Sequence, residues 1–182
     1  MPIVASLTIL ALTGVNLLGA RLGSAVQGAF TVVKVGALLV LMLVSLTMPG
    51  GRFAHLAPTG GATNLGRGAA SVIWAYDGWI AVSMIAGEVV AAEKLMKRII
   101  ISGMLVTTFL YVGANFAYFH AMPLTEMAQA KSGVPQAILS KLMGPEGGKL
   151  ISACIMCSVF GALNGNILAK PRVPYALAQD GL

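Results

Sequence analysis

The chain has 182 residues, of which 57% are hydrophobic and only 10% charged, with a mean hydropathy of +0.85. A water-soluble domain of that composition would expose too much apolar surface, so lipid is the natural solvent. The net charge of +6 does not indicate nucleic acid, because the basic residues are scattered between apolar runs and form no binding stripe.

Five segments meet or approach the roughly twenty apolar residues that a spanning helix needs: residues 2–19, 25–48, 69–90, 99–122 and 150–169. The first opens without a polar leader and runs on into more membrane, which is not the pattern of a cleaved signal peptide. ARLGS follows it, brief and basic. The second span carries Gln27, Thr31 and Lys34 at i, i+4 and i+7, hence on one helix face. A lysine at midspan is costly in lipid. About ten apolar residues follow it, too deep for snorkelling, so that face is expected to point into the protein.

A Gly- and Pro-rich connection leads to the third span and its stretch IWAYDGWIAV. Asp77 and Gly78 together disfavour a continuous helix and favour a turn, so this span is expected to break near Tyr76–Trp79. A break at membrane depth is allowed only where the freed backbone meets protein, water or ligand. Glu88 reads as an interfacial ion-pair partner beside the basic stretch AAEKLMKR. The fourth span contains Asn115 and ends near His120. The connection beyond it alternates apolar and polar residues at helical spacing (Leu124, Met127, Ala130, then Ala137 and Leu142), which predicts a surface helix.

The last span presents Cys154, Ser158, Gly161, Ala162 and Gly165 at three- and four-residue steps, a small-residue stripe that lets helices approach closely. Asn164 and Asn166 read as interhelical hydrogen-bond donors, and Asn115 has the same expected role. Cys154 and Cys157 are C-x-x-C spaced within an apolar run. No second Cys or His pair is available as zinc ligands, so they read as packing. The short basic stretches, with Arg21, residues 94–98, Lys170 and Arg172, are expected in the cytoplasm, and the long connections outside.

Covalent chemistry finds little support. A membrane aspartyl protease needs two membrane aspartates, and Asp180, the other aspartate, lies in the terminal tail. A serine protease would want a membrane histidine, whereas His120 sits at a span end and His55 in a loop.

TGVNLLGARLGSAVQGAFTVVKVGALLVL, WAYDGWIAVSMIAGEV and VFGALNGNILAKPRVPYALAQDGL resemble consecutive blocks of amino-acid permeases of the APC superfamily, in particular the L-type amino-acid transporter group and its bacterial relatives. The resemblance implies an all-α membrane protein. Its fold would be a partial LeuT-type inverted-repeat bundle of about five transmembrane helices, one of them broken, matching helices four to eight. It also implies secondary active transport of amino acids by alternating access. No enzymatic activity and no cofactor are implied. The partners would be an amino-acid substrate and the bilayer, with an accessory subunit of unknown identity, and the location the plasma membrane. A non-transporting fragment or membrane interaction protein is the alternative.

By this resemblance, Trp74 gates the substrate and the carbonyls around Ala75 receive its ammonium. Gly78 permits the break, while Tyr76 and Asp77 line or support it. Lys34 matches the lysine that replaces a sodium ion in sodium-independent members, leaving exchange or proton coupling open, and Ser158 matches a helix-eight position near it. Two proline-bearing pairs of the family are Ala91-Ala92 and Met96-Lys97 here, which implies a more helical cytoplasmic connection. Ala162 replaces a frequent serine.

Overall fold

The computed structural model describes residues 2–57 and 65–181. Among these residues there are helices and no strands: α1 (Pro2–Leu17), α2 (Ala20–Leu46), α3 (Leu65–Tyr76), α4 (Trp79–Met84), α5 (Ala92–Ala121), α6 (Leu124–Gln129), α7 (Val134–Met143), α8 (Pro145–Ala169) and α9 (Arg172–Gln179). The protein is thus an all-α membrane protein. Helices α2, α5 and α8 are long and apolar enough to cross a bilayer. Their 27, 30 and 25 residues reach beyond the ~30 Å of hydrocarbon. Helix α1, with 16 residues, is shorter than a span, and the third apolar segment is divided into pieces.

The connections differ from the sequence expectation where glycine permits a sharp reversal. ARLGS is not a loop but the first turn of α2. The chain reverses instead at Leu18–Gly19, where Gly19 has φ +128°, a region closed to side chains with a Cβ. The expected single helix after the fourth span is two, α6 and α7, separated by a turn at Gly133 with φ +99°. From Ala92 onward the basic connection is helical, as the missing prolines imply. The chain enters that helix through Ala91 at φ +55°, an uncommon conformation for a residue other than glycine. Residues 58–64 of the first long connection, and the Glu88 side chain with its expected ion pair, lie outside the described residues.

Contacts divide the chain into two compact units. The first gathers the chain up to Thr31, Leu65–Leu105 and the chain from Ser158 onward; the second gathers the stretch beginning at Val32 with Val106–Cys157. In the second unit Leu41, Ala121, Met122, Ile138, Leu139 and Ile151 form one buried cluster, flanked by Met127, Val134 and Cys154. Helices α6 and α7 therefore do more than lie on a surface. They cap the ends of α2, α5 and α8 with fully buried Ile138, and an ion pair between Lys141 and Glu126 ties them together. His120 is a second anchor. Its buried ring lies 4.5 Å from the Phe53 ring and its Nδ1 3.2 Å from the Ser45 carbonyl oxygen. The Arg52 amide donates to the His120 carbonyl at 3.0 Å. Gly51 faces the imidazole so closely that a Cβ would collide with it. The loop after α2 is thereby held against the end of α5.

Most large apolar side chains on the helices point outward, among them Leu10, Val32, Leu43, Leu105 and Phe109. In water that arrangement would be unstable. In lipid it is ordinary, because the tails are as apolar as the side chains and helix association rests on packing and hydrogen bonds.

Candidate functional site

The break in the third apolar segment falls at Asp77–Gly78. Helix α3 ends at Tyr76 and α4 starts at Trp79. Across the junction the Asp77 amide bonds the Trp74 carbonyl at 3.4 Å and the Ile80 amide bonds the Asp77 carbonyl at 3.3 Å. These are long i→i−3 contacts in place of the i→i−4 ladder, the weaker geometry of a tightened turn. Gly78 stays at φ −60°, ψ −17°, so the backbone is kinked at this point and not drawn out into extended chain. Beyond α4 regularity fails again, with a short 3-10 turn at Ala86–Glu88.

Gly78 is required neither for a positive φ nor for room, since a Cβ there would meet nothing within 4 Å. What glycine supplies is a low helix propensity. Gly78→Ala should therefore fold. It should raise stability by about 0.5–1 kcal/mol in thermal unfolding while lowering transport by the full-length protein. Unchanged transport would show that the kink is not used. The rings beside the kink are open, Trp74 at 83% and Trp79 at 48% exposure. Asp77 is exposed and Tyr76 half-buried, which leaves their proposed roles as expectations.

A polar seam in the first unit joins α1, α2 and α8. The fully buried Asn164 is its centre. Its Nδ2 donates to Gln27 Oε1 at 3.0 Å and to the Gly23 carbonyl at 3.3 Å, and its Oδ1 accepts from Asn16 Nδ2 at 2.8 Å. Asn16 also donates to the Leu12 carbonyl at 2.8 Å. Glycines let the backbones close in: Gly23 faces the Asn16 amide, Gly161 lies against the Phe30 side chain and Gly165 against Gln27. The small-residue stripe thus works at Gly161 and Gly165, whereas Ala162 is exposed.

Two expectations need correction. Asn166 does not bridge helices, since its Nδ2 donates to the Ala162 carbonyl of its own helix at 2.9 Å. Asn115 likewise bonds Tyr111 four residues back at 2.8 Å. Both side chains are exposed, and a local carbonyl satisfies an amide that faces no partner helix. Asn16 went unnoticed in the sequence, although an amide within an apolar run is itself a signal.

The Gln27–Thr31–Lys34 face is inward at Gln27 only. Thr31 Oγ1 donates to the Gln27 carbonyl at 2.8 Å, and Lys34 is exposed. Among the described residues no hydrogen bond or ion pair reaches the Lys34 ammonium. Lys34 belongs to the second unit and half-buried Ser158 to the first.

The family model described as "Amino acid permease" matches residues 2–182. The serine/threonine exchanger SteT of Bacillus subtilis is 32% identical over 179 residues, covering 97% of this chain and 41% of that protein. The b(0,+)-type amino acid transporter 1 of Mus musculus is 28% identical over 185 residues, 98% of this chain and 38% of the relative. The large neutral amino acids transporter small subunit 2 of the same species is 29% identical over 188 residues, 98% and 35%. The chain spans about two fifths of the length of these relatives. With a kinked apolar segment, a buried amide seam between helices and a match along nearly its whole length, the chain belongs to the amino acid permease family of the APC superfamily.

Proposed function

We propose that the protein carries amino acids across the membrane by alternating access, as a sodium-independent exchanger or a proton-coupled carrier, without covalent chemistry. The observation that carries this reading is the 32% identity to a serine/threonine exchanger over 97% of the chain. The kink at Asp77–Gly78 supports it, since discontinuous membrane helices supply half-helix ends and carbonyls to a substrate's charged groups. In this reading Trp74 closes over the substrate, Ala75 and Tyr76 offer backbone to its ammonium, and Asp77 supports the kink. A relative named as a small subunit favours an accessory subunit, and the plasma membrane is the proposed location.

Uptake by the full-length protein in proteoliposomes, across a panel of amino acids, tests the reading directly. Trp74→Ala should raise the apparent KM about tenfold, the loss of roughly 1–1.5 kcal/mol of aromatic contact. An unchanged KM and exchange rate throughout the panel would remove Trp74 from the site.

The proposed topology has a separate check. Lys131 is exposed and lies in the long connection expected outside. Lys131→Cys, with Cys154 and Cys157 replaced by alanine, should react with an impermeant maleimide in intact cells. Reaction only after permeabilisation would invert the arrangement.

A further inference from the structure

Exposed cations gather at the helix ends of the first unit. Arg21 stands in the first turn of α2, Lys94, Lys97 and Arg98 in the first two turns of α5, and Lys170 just past α8, all within this unit. Gly23 and Leu168 meet side by side, which sets the start of α2 against the end of α8. These five side chains are exposed, and none enters an ion pair with a described residue, unlike Lys141 with Glu126 and Lys149 with Glu146. Glu93 and Asp180 are the described carboxylates at these helix ends, so positive charge is in excess.

Helix α9, which follows Lys170 and Pro171, adds an apolar surface. Val173 and Leu177, one turn apart, are 42% and 45% exposed. Arg172, Tyr175 and Gln179 occupy the opposite face, with Gln179 Nε2 donating to the Tyr175 hydroxyl at 2.9 Å. The 25 residues of α8 extend about 37 Å, more than the ~30 Å hydrocarbon core. With α8 centred on the hydrocarbon, α9 starts at headgroup level, joined to α8 through a turn at Lys170 and Pro171. An amphipathic helix flanked by basic residues at that depth fits an anionic lipid surface, with apolar side chains among the acyl chains and ammonium groups on the phosphates.

We propose that α9 lies in the headgroup layer and that the protein selects anionic phospholipids through Arg21, Lys94, Lys97, Arg98 and Lys170. The selection is independent of what is transported, so its failure would leave the transport reading untouched.

The full-length protein in nanodiscs of equal phosphatidylglycerol and phosphatidylcholine provides the test. Native mass spectrometry should find phosphatidylglycerol enriched at least about fivefold among retained lipids, the effect of roughly one cation at the surface. Replacing Arg21, Lys94, Lys97, Arg98 and Lys170 by glutamine should abolish the enrichment, whereas Arg52→Gln with Lys131→Gln at other loops should not. Equal retention of both lipids by the wild type, or enrichment that survives the fivefold variant, overturns the proposal. A nitroxide at Leu177→Cys, with Cys154 and Cys157 replaced by alanine, gives a second reading. Relaxation by oxygen should exceed that by an aqueous nickel chelate, and the reverse order would place α9 in water and overturn the proposal too.

Discussion

Lys34→Ala in the full-length protein should abolish most transport while leaving expression near normal, and wild-type uptake should persist when choline replaces sodium. The lysine sits at the fifteenth position of a 27-residue helix, about 20 Å from either end. An ammonium at that depth is unstable without a counter-dipole or charge. If it takes the place of a bound cation, its contacts are charge-assisted hydrogen bonds worth about 1.5–3 kcal/mol. Losing them should lower kcat/KM about 10–100-fold. Lys34→Arg keeps the charge but not the compact donor geometry and should fall between. The measurement is initial uptake into proteoliposomes, with and without sodium. Strong sodium dependence of the wild type would refute the cation-replacement role, and so would a fully active alanine variant.

Asn164→Ala should be the most destabilising single amide replacement in the chain, and Asn166→Ala should be nearly silent. Asn164 is fully buried and joins three helices through its carboxamide. Truncation leaves Gln27 Oε1 without this donor and Asn16 Nδ2 without this acceptor, and opens a void where the carboxamide was buried. Interhelical hydrogen bonds in membranes average about 0.6 kcal/mol and reach about 1.7, so three of them give about 2–3 kcal/mol with the void included. Asn166 bonds only its own helix, and its loss should cost less than about 0.5 kcal/mol. Thermal unfolding in a mild detergent compares the two. A double-mutant cycle between Asn16 and Asn164 should give a coupling of about 0.5–1.7 kcal/mol. Equal, small effects of Asn164→Ala and Asn166→Ala would mean that the seam contributes nothing to stability.

The seam also bears on the cation-replacement role proposed for Lys34. Gln27 is two helical turns from Lys34 on α2, and Asn164 is six residues beyond Ser158 on α8. Fixing α2 against α8 at Gln27 and Asn164 sets the rotation of both helices about their axes. A helix rotated by one residue turns about 100°, which would turn Lys34 toward a different side of α2. Activity lost in Asn164→Ala and recovered in a stabilised background would assign that loss to helix stability.

The lipid class, the helical content and the position of the kink could all be read from the sequence. Each depends on composition or on adjacent residues: apolar runs of spanning length, and Asp77 followed by Gly78. The same holds for the match to amino-acid permeases, which lies in short contiguous blocks. What could not be read was which way the amides face. Asn115, Asn164 and Asn166 sit in equally apolar stretches, yet only Asn164 crosses to other helices. A helix that is apolar all round carries no stripe to mark its inner face, so its rotation is decided by the neighbours that pack against it. His120 does sit in the last turn of α5, as the sequence places it, but its burial was not legible there. Its burial depends on a loop more than sixty residues earlier folding back through Gly51 and Phe53, a contact that local pattern does not encode.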